Sequence, residues 1–433
     1  MSEIAPEIAP EIADVHGRRV WDSRGRPTVE AEVQLTDGTI GRAIAPAGAS
    51  TGAGEAVDKR DGGDAFGGLD VRDAVAAVNG EISGALRGRD PRDQDAADQA
   101  MIDLDGTADK RRLGGNALVA TSMAIAHAAA AAEGLPLWRY LGEDQQTFAL
   151  PLPEVQIFGG GAHAGRRVDI QDFMVIATGA EGYTQALEWT AEVYRAAGTL
   201  MQNAGLMQGV ADEGGFWPAF ETNEQALDYL VRAIEGAGFT PGEEMAISLD
   251  IAATDFGAEG RYRLATDARD VDSDALSEML LGWLERYPIV AIEDPLGEDD
   301  HDAMAKFTAA AGPNVEVIAD DFICTSADLI KAAHAIGACN TALIKPNQAG
   351  TLTEAKAALD AARAAGWDAI VSARSGETED VTIVHLAVGW GVKQLKVGSF
   401  ARSERMAKWN EGLRIAEALE SDLLPARDAF PWG

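Results

Sequence analysis

The sequence predicts an α/β protein in which a (β/α) barrel follows a smaller N-terminal α+β domain. The length of 433 residues suits two domains, or one large barrel that carries an extra domain. Up to about residue 140, strand-like stretches come first and helical stretches follow, which is typical of an α+β domain. Beyond residue 150, short β-branched runs alternate with helical stretches. This many alternations favours parallel strands closed into a barrel.

The N-terminal domain is predicted over residues 14–140, after a flexible lead-in of residues 1–13 that holds a threefold Glu-Ile-Ala repeat. Turn residues separate its strands, and apolar periodicity marks its helices. A loop rich in glycine and serine, residues 47–52, lies between the two groups. The predicted strands span residues 19–21, 28–35 and 39–44, and the predicted helices span residues 71–86, 94–104 and 117–133.

The barrel domain is predicted over residues 141–433. Each predicted strand is a short run that ends in a charged residue, and a helical stretch of roughly 15 residues separates it from the next run. The predicted strands span residues 245–250, 289–293, 315–320, 341–345, 369–374 and 394–396, and the predicted helices span residues 273–287, 302–311, 326–336 and 352–365.

The composition is strongly acidic. Lys and Arg total 36 against 70 Asp and Glu, so the formal net charge is −34. Such a field repels phosphate backbones and anionic headgroups, which argues against nucleic acid and membrane surfaces as partners. We see no apolar run near 18 residues and expect no membrane span. Two cysteines without a secretory signal predict a cytoplasmic protein without disulfides.

Three acidic residues, Asp250, Glu293 and Asp320, end three successive predicted strands. Because the carboxyl ends of barrel strands meet at one face, these carboxylates repel one another unless a cation lies between them. None of the six histidines ends one of these strands, so the ligand set is all oxygen and favours Mg²⁺ or Mn²⁺. Helix capping is the alternative for any one of these acids, but three consecutive strand ends favour the metal.

Basic residues follow the later strands. Lys345 and Lys396 end two of them, and a lysine beside a metal and another cation has a lowered pKa, which suits a proton-abstracting base. A structural Lys–Asp pair is the alternative for either lysine. Arg374 and Ser375 offer a forked cation and a hydroxyl that suit a phosphate or carboxylate. Glu213, on a glycine-flexed loop, is a candidate general acid or else only a solvated loop residue.

These parts together describe removal of a proton α to a carboxylate, with cations that hold the enolate charge, as in enolase-superfamily sites. The sequence resembles enolases along nearly its whole length. The matching stretches, in order, are Asp22-Ser23-Arg24-Gly25, Gly48-Ala49-Ser50-Thr51-Gly52, Asp103-Leu104-Asp105-Gly106-Thr107, Asp212-Glu213-Gly214-Gly215-Phe216, Ile292-Glu293-Asp294-Pro295, Asp320-Asp321, Arg374-Ser375-Gly376-Glu377-Thr378-Glu379-Asp380 and Arg402-Ser403-Glu404-Arg405.

The resemblance implies an eight-stranded TIM-like barrel whose first turns depart from simple βα alternation, capped by the α+β domain. It implies an Mg²⁺ enzyme with two metal sites, Mn²⁺ being the alternative ion, that acts on 2-phosphoglycerate-like acids. It also implies a cytoplasmic homodimer or homo-octamer whose other partners are small phosphorylated or phosphonate molecules.

The resemblance further implies a role for each matching residue. Asp250, Glu293 and Asp320 would hold the first metal, and Ser50 would help to hold the second and to bind substrate when the glycine-rich loop closes. Lys345 would be the base at C2, and Lys396 would bind the substrate carboxylate. Glu213, with Asp172 beside it, would act at the C3 leaving group, and His163 would lie near the substrate. Arg374 and Ser375 would bind the phosphate.

Several positions depart from the family pattern. Ala373 stands where the motif has histidine, and Asp172 replaces the glutamate that works beside the general acid. The metal ligands and both lysines are unchanged, so we expect proton abstraction to survive, while the half that handles phosphate and leaving group loses side-chain volume. The remaining replacements are Gly159 for asparagine, Ala47 for serine, and Val397, Ser399 and Phe400 for threonine, alanine and proline.

This pattern of departures resembles carboxyphosphonoenolpyruvate synthase, an enolase relative of phosphinothricin-type phosphonate biosynthesis that uses phosphonoformate. We therefore predict that reaction, because a catalytic group misplaced by about 1 Å can cost on the order of 100-fold in ordinary dehydration. One alternative is a glycolytic enolase that converts 2-phosphoglycerate to phosphoenolpyruvate. The other is a non-catalytic enolase-like binding protein, which the retained carboxylates and lysines argue against, since buried like charges without a metal cost stability.

Overall fold

The structure is a computed structural model that describes residues 10–433. Most of the predicted lead-in, residues 1–9, therefore lies outside the described residues. The first strand already begins at Ile12, so the predicted lead-in ends two residues too late. Ile12 is buried in the N-terminal core, which is why this part of the chain is held in a strand.

The N-terminal domain is an antiparallel sheet of order β1-β2-β3 packed against helices. Helix α4 lies on β2 and β3, and Gly41 allows this close approach, since a Cβ there would lie 2.2 Å from the Ala124 carbonyl oxygen. The elements are β1 (Ile12–Trp21), β2 (Pro27–Leu35), β3 (Ile40–Ile44), α1 (Arg72–Ala77), α2 (Ser83–Leu86), α3 (Gln94–Asp105), α4 (Gly115–Ala132) and α5 (Leu137–Leu141), with a π-helical turn, Val78–Ile82, between α1 and α2.

Helix α4 corrects the expectation that no apolar run near 18 residues exists. Its 18 residues are apolar enough, by length and composition alone, to cross a membrane. In the folded chain 83% of that stretch is buried inside the protein. Alanine dominates the helix, and its small side chains let the sheet and the neighbouring helices pack closely around it.

The C-terminal domain holds the remaining elements. Its strands are β4 (Leu152–Gly159), β5 (Asp172–Ile176), β6 (Met207–Val210), β7 (Phe216–Pro218), β8 (Ala246–Asp250), β9 (Gly257–Ala258), β10 (Arg261–Leu264), β11 (Arg269–Asp272), β12 (Ile289–Glu293), β13 (Glu316–Ala319), β14 (Thr341–Ile344), β15 (Asp368–Ser372) and β16 (Gln394–Ser399). Its helices are α6 (Tyr183–Ala204), α7 (Asn223–Gly236), α8 (Ser273–Arg286), α9 (His301–Ala311), α10 (Ala327–Ile336), α11 (Pro346–Ala349), α12 (Leu352–Ala364), α13 (Thr382–Gly389) and α14 (Ser403–Leu419).

Eight of these strands close into a barrel of order β4-β5-β8-β12-β13-β14-β15-β16, with β16 paired to β4. Strand β5 runs antiparallel to both of its neighbours, and the other barrel pairs are parallel. The expected barrel and the expected departure from βα alternation in its first turns are thus confirmed. Strands β4 and β5 had no counterpart among the predicted strands. Strand β4 contains a proline, and its polar residues Glu154 and Gln156 are buried, while β5 has no polar–apolar alternation.

The polar site residues lie directly above an apolar cluster inside the barrel, towards the carboxyl ends of the strands. Ala291, Ile318, Leu343 and Ile370, one from each of four adjacent strands, form an apolar cluster. Because side chains two apart on a strand share a face, the next inward position is polar on every one of these strands. Those positions are Glu293, Asp320, Lys345 and Ser372.

The N-terminal domain covers this polar end of the barrel. The turn after β1 reaches the barrel loops, where the Ser23 backbone N–H donates to the Glu377 carbonyl oxygen (2.8 Å). The Arg402 Nη2 donates to the Ser23 carbonyl oxygen (2.8 Å), and Arg24 holds the carbonyl oxygens of Ala47 and Gly48 in the glycine-rich loop. The capping domain therefore presents this loop to the mouth of the barrel.

Candidate active site

The candidate site is a cavity at the carboxyl ends of the barrel strands, beneath the glycine-rich loop. The cavity measures about 20 Å³, room for a single water molecule, so a substrate enters only if the loop or the side chains move. Glu293 lies just outside the lining and reaches it through Lys396. The predicted site residues that line the cavity are Ser50, His163, Asp172, Glu213, Asp250, Asp320, Lys345, Arg374, Ser375 and Lys396.

Lys396 lies between two of the strand-end acids. Its Nζ donates to Asp250 Oδ2 (2.8 Å) and to Glu293 Oε2 (2.6 Å), and it lies 3.7 Å from Asp172 Oδ2. Burial opposes the charge on Lys396, but Asp250 and Glu293 raise its pKa well above the ordinary lysine value. Lys396 is therefore a fixed cation in the barrel axis.

Lys345 forms the second lysine–carboxylate pair, with Asp320 Oδ2. Burial favours the neutral amine, yet the Asp320 carboxylate raises the pKa of Lys345 above its ordinary value. For Asp320, burial opposes ionisation, and Lys345 with Arg374 holds its pKa below the ordinary value. This raised pKa describes Lys345 paired with the Asp320 carboxylate alone, and the lowered pKa predicted from the sequence requires a metal beside the lysine.

The carboxylates retain features of a cation site. Glu293 is fully buried, and its Oε1 has no hydrogen-bond partner. Burial, with the adjacent Asp250, raises the pKa of Glu293 well above its ordinary value. Gln171 Nε2 donates to Asp250 Oδ2 (3.0 Å), an orienting contact of the kind that metal ligands receive. These residues fit a hard divalent cation bound by oxygen.

Asp320 also belongs to a second cluster of carboxylates. Asp294, Asp320 and Asp321 bring one oxygen each within 4.8 Å of one another. Asp294 is committed to the backbone, since its oxygens accept from the N–H groups of Asp320 (3.0 Å) and Asp321 (2.8 Å). Asp321 Oδ2 accepts from the Ser50 hydroxyl (3.4 Å), which brings the glycine-rich loop to the acidic edge.

On the opposite wall, His163 lies between two acids. Its Nδ1 is 3.2 Å from Asp172 Oδ1, and its Nε2 is 3.9 Å from Glu213 Oε1. Burial favours the neutral ring, but Glu213 and Asp172 raise the pKa of His163 to about 9. Burial opposes the charge of Asp172, and His163 lowers its pKa to about 2. His163 is therefore a buried imidazolium at neutral pH, paired with the Asp172 carboxylate.

This group predicts a pH dependence of stability. The folded pKa of His163 exceeds its value of 6.5 in an unfolded chain, so the stabilisation is complete below pH 6.5 and is lost as the pH rises through 9. The loss is on the order of 3 kcal/mol in the free energy of unfolding. Urea unfolding of metal-free protein between pH 6 and pH 10 should show it in the wild type and not in His163→Gln. His301→Gln, at an exposed histidine, is the control and should keep the wild-type profile.

Arg374 holds the glycine-rich loop over the cavity. Its Nη1 donates to Glu55 Oε2 (2.9 Å), and its Nη2 donates to Glu55 Oε1 (3.1 Å) and to the Ser50 carbonyl oxygen (2.8 Å). Gly48 is required here, since a Cβ would lie 2.0 Å from Arg374 Nη2. Arg405, fully buried, donates to the carbonyl oxygens of Arg374 and Ser375 and so fixes the backbone that carries both residues.

The departures from the family pattern fall in different places. Asp172, Ala373 and Val397 line the cavity, and the latter two are small or apolar neighbours of the phosphate-side residues. Ala47 instead pairs through its backbone with Gly376. The expectation of extra room at Gly159 is wrong, because a Cβ there would lie 2.5 Å from the Cβ of Ala211, which fills that space.

Four functional candidates were missed from the sequence: Glu55, Gln156, Gln171 and Gln348. Gln156 Nε2 donates to Asp172 Oδ1, and its Oε1 accepts from the Gly215 backbone N–H (2.9 Å), so it joins Asp172 to the loop of Glu213. Gln171 directly precedes Asp172, and Gln348 follows Lys345 by three residues, which are the signals that could have found them. An uncharged amide carries no chemical signature by itself, so only its contacts identify it.

Two family models match the chain. Residues 12–141 match the enolase N-terminal domain, and residues 147–426 match the enolase C-terminal TIM barrel domain. The matches cover both parts of the fold and every residue of the candidate site. The chain therefore belongs to the enolase family, a family of lyase-type enzymes.

Proposed function

We propose that this enolase-family enzyme acts on 2-phosphoglycerate/phosphoenolpyruvate-type acids through an enolate, as a carboxyphosphonoenolpyruvate synthase that uses phosphonoformate in phosphonate biosynthesis. The observation that carries the proposal is the contrast between the two halves of the cavity. Both lysine–carboxylate pairs are intact, while the wall beside Arg374 is formed by Ala373 and Val397. Ala373 and Val397 add no side-chain donor to those of Arg374 and Ser375, and the small Ala373 leaves room for a larger phosphorus group once the loop or the side chains move.

In the proposed reaction, different side chains of the cavity bind the substrate and transfer its protons. Lys345, as the neutral amine, takes the proton from C2 of a 2-phosphoglycerate-type substrate, and Lys396 binds the carboxylate next to that carbon. Arg374 and Ser375 bind the phosphorus group, for which Arg374 must exchange part of its contact with Glu55. Glu213, whose Oε1 lies 3.9 Å from His163 Nε2, acts at the leaving group on the far carbon.

We propose Mg²⁺ as the cation, held by Asp250, Glu293 and Asp320, with Ser50 at a second ion and Mn²⁺ as the alternative metal. When bound, the cation supplies the positive charge that stabilises the enolate and draws on the Asp320 carboxylate that otherwise pairs with Lys345. The chain supplies the orientation of the ligands: Gln171 holds Asp250, and the buried Glu293 has one oxygen without a partner.

A glycolytic enolase is the second candidate, and one observation favours it. The leaving-group side still holds a connected group of two acids and a histidine, in which the shorter Asp172 reaches His163 at 3.2 Å. A relay of this kind could assist loss of water from 2-phosphoglycerate. A non-catalytic role is disfavoured, since a binding protein gains nothing from a buried acid cluster of this size. The proposed homodimer or homo-octamer and the cytoplasmic location rest on the family resemblance.

Phosphorus NMR tests the proposal. Purified protein with Mg²⁺ and 2-phosphoglycerate is observed with and without phosphonoformate, and a parallel pair of samples contains phosphoenolpyruvate. We expect a new phosphorus-containing product only when phosphonoformate is present. Ready formation of phosphoenolpyruvate from 2-phosphoglycerate in both samples would instead identify a glycolytic enolase. Absence of any turnover, with Mg²⁺ bound, would overturn both candidates.

A further inference from the structure

Gln348, on helix α11, places its whole amide at the acidic edge of the cavity. Its Nε2 donates to Asp320 Oδ1 (2.9 Å) and to Glu55 Oε1 (3.3 Å), and its Oε1 accepts from the Thr325 hydroxyl (2.6 Å). Only 2% of Gln348 is exposed, so water cannot replace these partners. Both ends of the amide are therefore committed to groups of the site.

Thr325 decides which way the amide points. Its Oγ1 accepts from the Lys345 backbone N–H (2.9 Å), and the hydroxyl hydrogen is then donated to Gln348 Oε1. A flipped amide would place Oε1 against the oxygens of two carboxylates. Thr325 holds φ at +50°, in the left-handed region that a β-branched residue rarely adopts. This strained backbone conformation places the Thr325 hydroxyl between the Lys345 backbone N–H and the Gln348 amide.

Because of the Gln348 amide, the two oxygens of Asp320 have different hydrogen-bond partners. Gln348 binds Oδ1, and the Lys345 ammonium binds Oδ2. Without the amide, the carboxylate is free to rotate and to meet the ammonium with both oxygens, which competes with any other cation. A hydrogen-bonded ligand keeps one orientation and loses less freedom when it binds a metal.

The same amide connects this edge to the glycine-rich loop. Glu55 accepts from Gln348, from both Nη atoms of Arg374 and from the Gly52 backbone N–H (3.1 Å). The loop is seated tightly, since a Cβ at Gly52 would lie 2.5 Å from Cys324 Sγ. Gln348 thus joins Asp320 to Glu55, and Glu55 binds the end of the loop at Gly52.

We propose that Gln348 is a positioning residue that orients the Asp320 carboxylate for a divalent cation and links that carboxylate to Glu55, which binds the Gly52 end of the glycine-rich loop. This inference rests on the proposed function only in taking Asp320 as a ligand of the cation. Thr325 acts with Gln348 by fixing the direction of the amide. Contacts of this kind, one layer outside the ligands, typically change metal affinity by about 10–100-fold.

The test measures Mg²⁺ affinity of the full-length chain by calorimetric titration without substrate. Gln348→Leu should raise the Kd for Mg²⁺ by about 10–100-fold. Thr325→Val, which keeps the shape and the β-branch but loses the hydroxyl, should raise the Kd by a smaller factor, and Thr325→Ser should keep the wild-type Kd. Gln94→Leu is the matched control, because its amide donates to Asp98 in the N-terminal domain; it should lower the melting temperature alone.

Wild-type affinity in Gln348→Leu would overturn the proposal. If Gln348→Leu does not fold, the two Thr325 variants provide the test. Equal Kd values for Mg²⁺ in Thr325→Val and Thr325→Ser would then overturn the proposal. A wild-type chain that takes up no Mg²⁺ would overturn the proposed metal enzyme together with this role. A third outcome separates the two proposals: Mg²⁺ binding is weaker in Gln348→Leu and Thr325→Val, but the wild type turns over none of the phosphorus substrates. This outcome would support the positioning role of Gln348 and reject only the proposed reaction.

Discussion

Lys345→Ala is expected to lower kcat by about 10³-fold or more and to leave Mg²⁺-dependent stabilisation intact. A positioned general base contributes roughly 10²–10⁴-fold, and Lys345 is the cavity-lining amine paired with a single carboxylate. Its removal takes the competing ammonium away from Asp320, so Mg²⁺ binding should persist or tighten. Phosphorus NMR time courses measure kcat, and calorimetric melting with and without Mg²⁺ measures the stabilisation.

Lys110→Ala is the matched control for this variant. Lys110 is also a buried lysine paired with one carboxylate, that of Glu354, but it lies outside the cavity. Its loss should cost stability and leave kcat within a fewfold of the wild type. A Lys345→Ala enzyme with comparable activity would remove Lys345 as the base and leave Lys396 as the remaining candidate.

Glu293→Gln is expected to abolish the response to Mg²⁺. Saturating metal at about 100 times its Kd stabilises a folded protein by roughly 2.7 kcal/mol, and we expect that increment in the wild type and almost none in the variant. The amide keeps the volume of Glu293 but supplies no negative charge to the cation. Activity should fall with the metal, by about 10³-fold or more. Melting temperatures at several Mg²⁺ concentrations measure the increment.

Glu316→Gln separates metal binding from the general effect of neutralising a buried glutamate. Glu316, on β13, is fully buried like Glu293, and its Oε1 likewise has no partner, but it lies deeper in the barrel beside Gln394. Burial raises the pKa of Glu316 well above its ordinary value, so the amide should be tolerated and the Mg²⁺ response retained. Wild-type Mg²⁺ stabilisation in Glu293→Gln would exclude Glu293 as a ligand.

Much of the barrel could be predicted because its signals are local. The strand over residues 289–293 and the helix over residues 273–287 follow from β-branched runs and apolar periodicity within a few residues, and the structure has Ile289–Glu293 and Ser273–Arg286. The buried strands β4 and β5 carry a weaker local signal, since β4 contains Pro153 and β5 has no polar–apolar alternation. Their pairing is set by contact with the last strand and with β8, which a local pattern does not contain.

The sequence by itself determined the family, the two-part fold and the identity of the charged residues at the strand ends, because each of these is written in short motifs and strand–helix alternation. The tertiary structure decided how the charges combine. Closure of the barrel brings Lys396 to Glu293, 103 positions away in the chain, and Lys345 to Asp320. It also decided the role of Gln348, since an uncharged amide becomes informative only when burial excludes water and leaves Asp320, Glu55 and Thr325 as its partners.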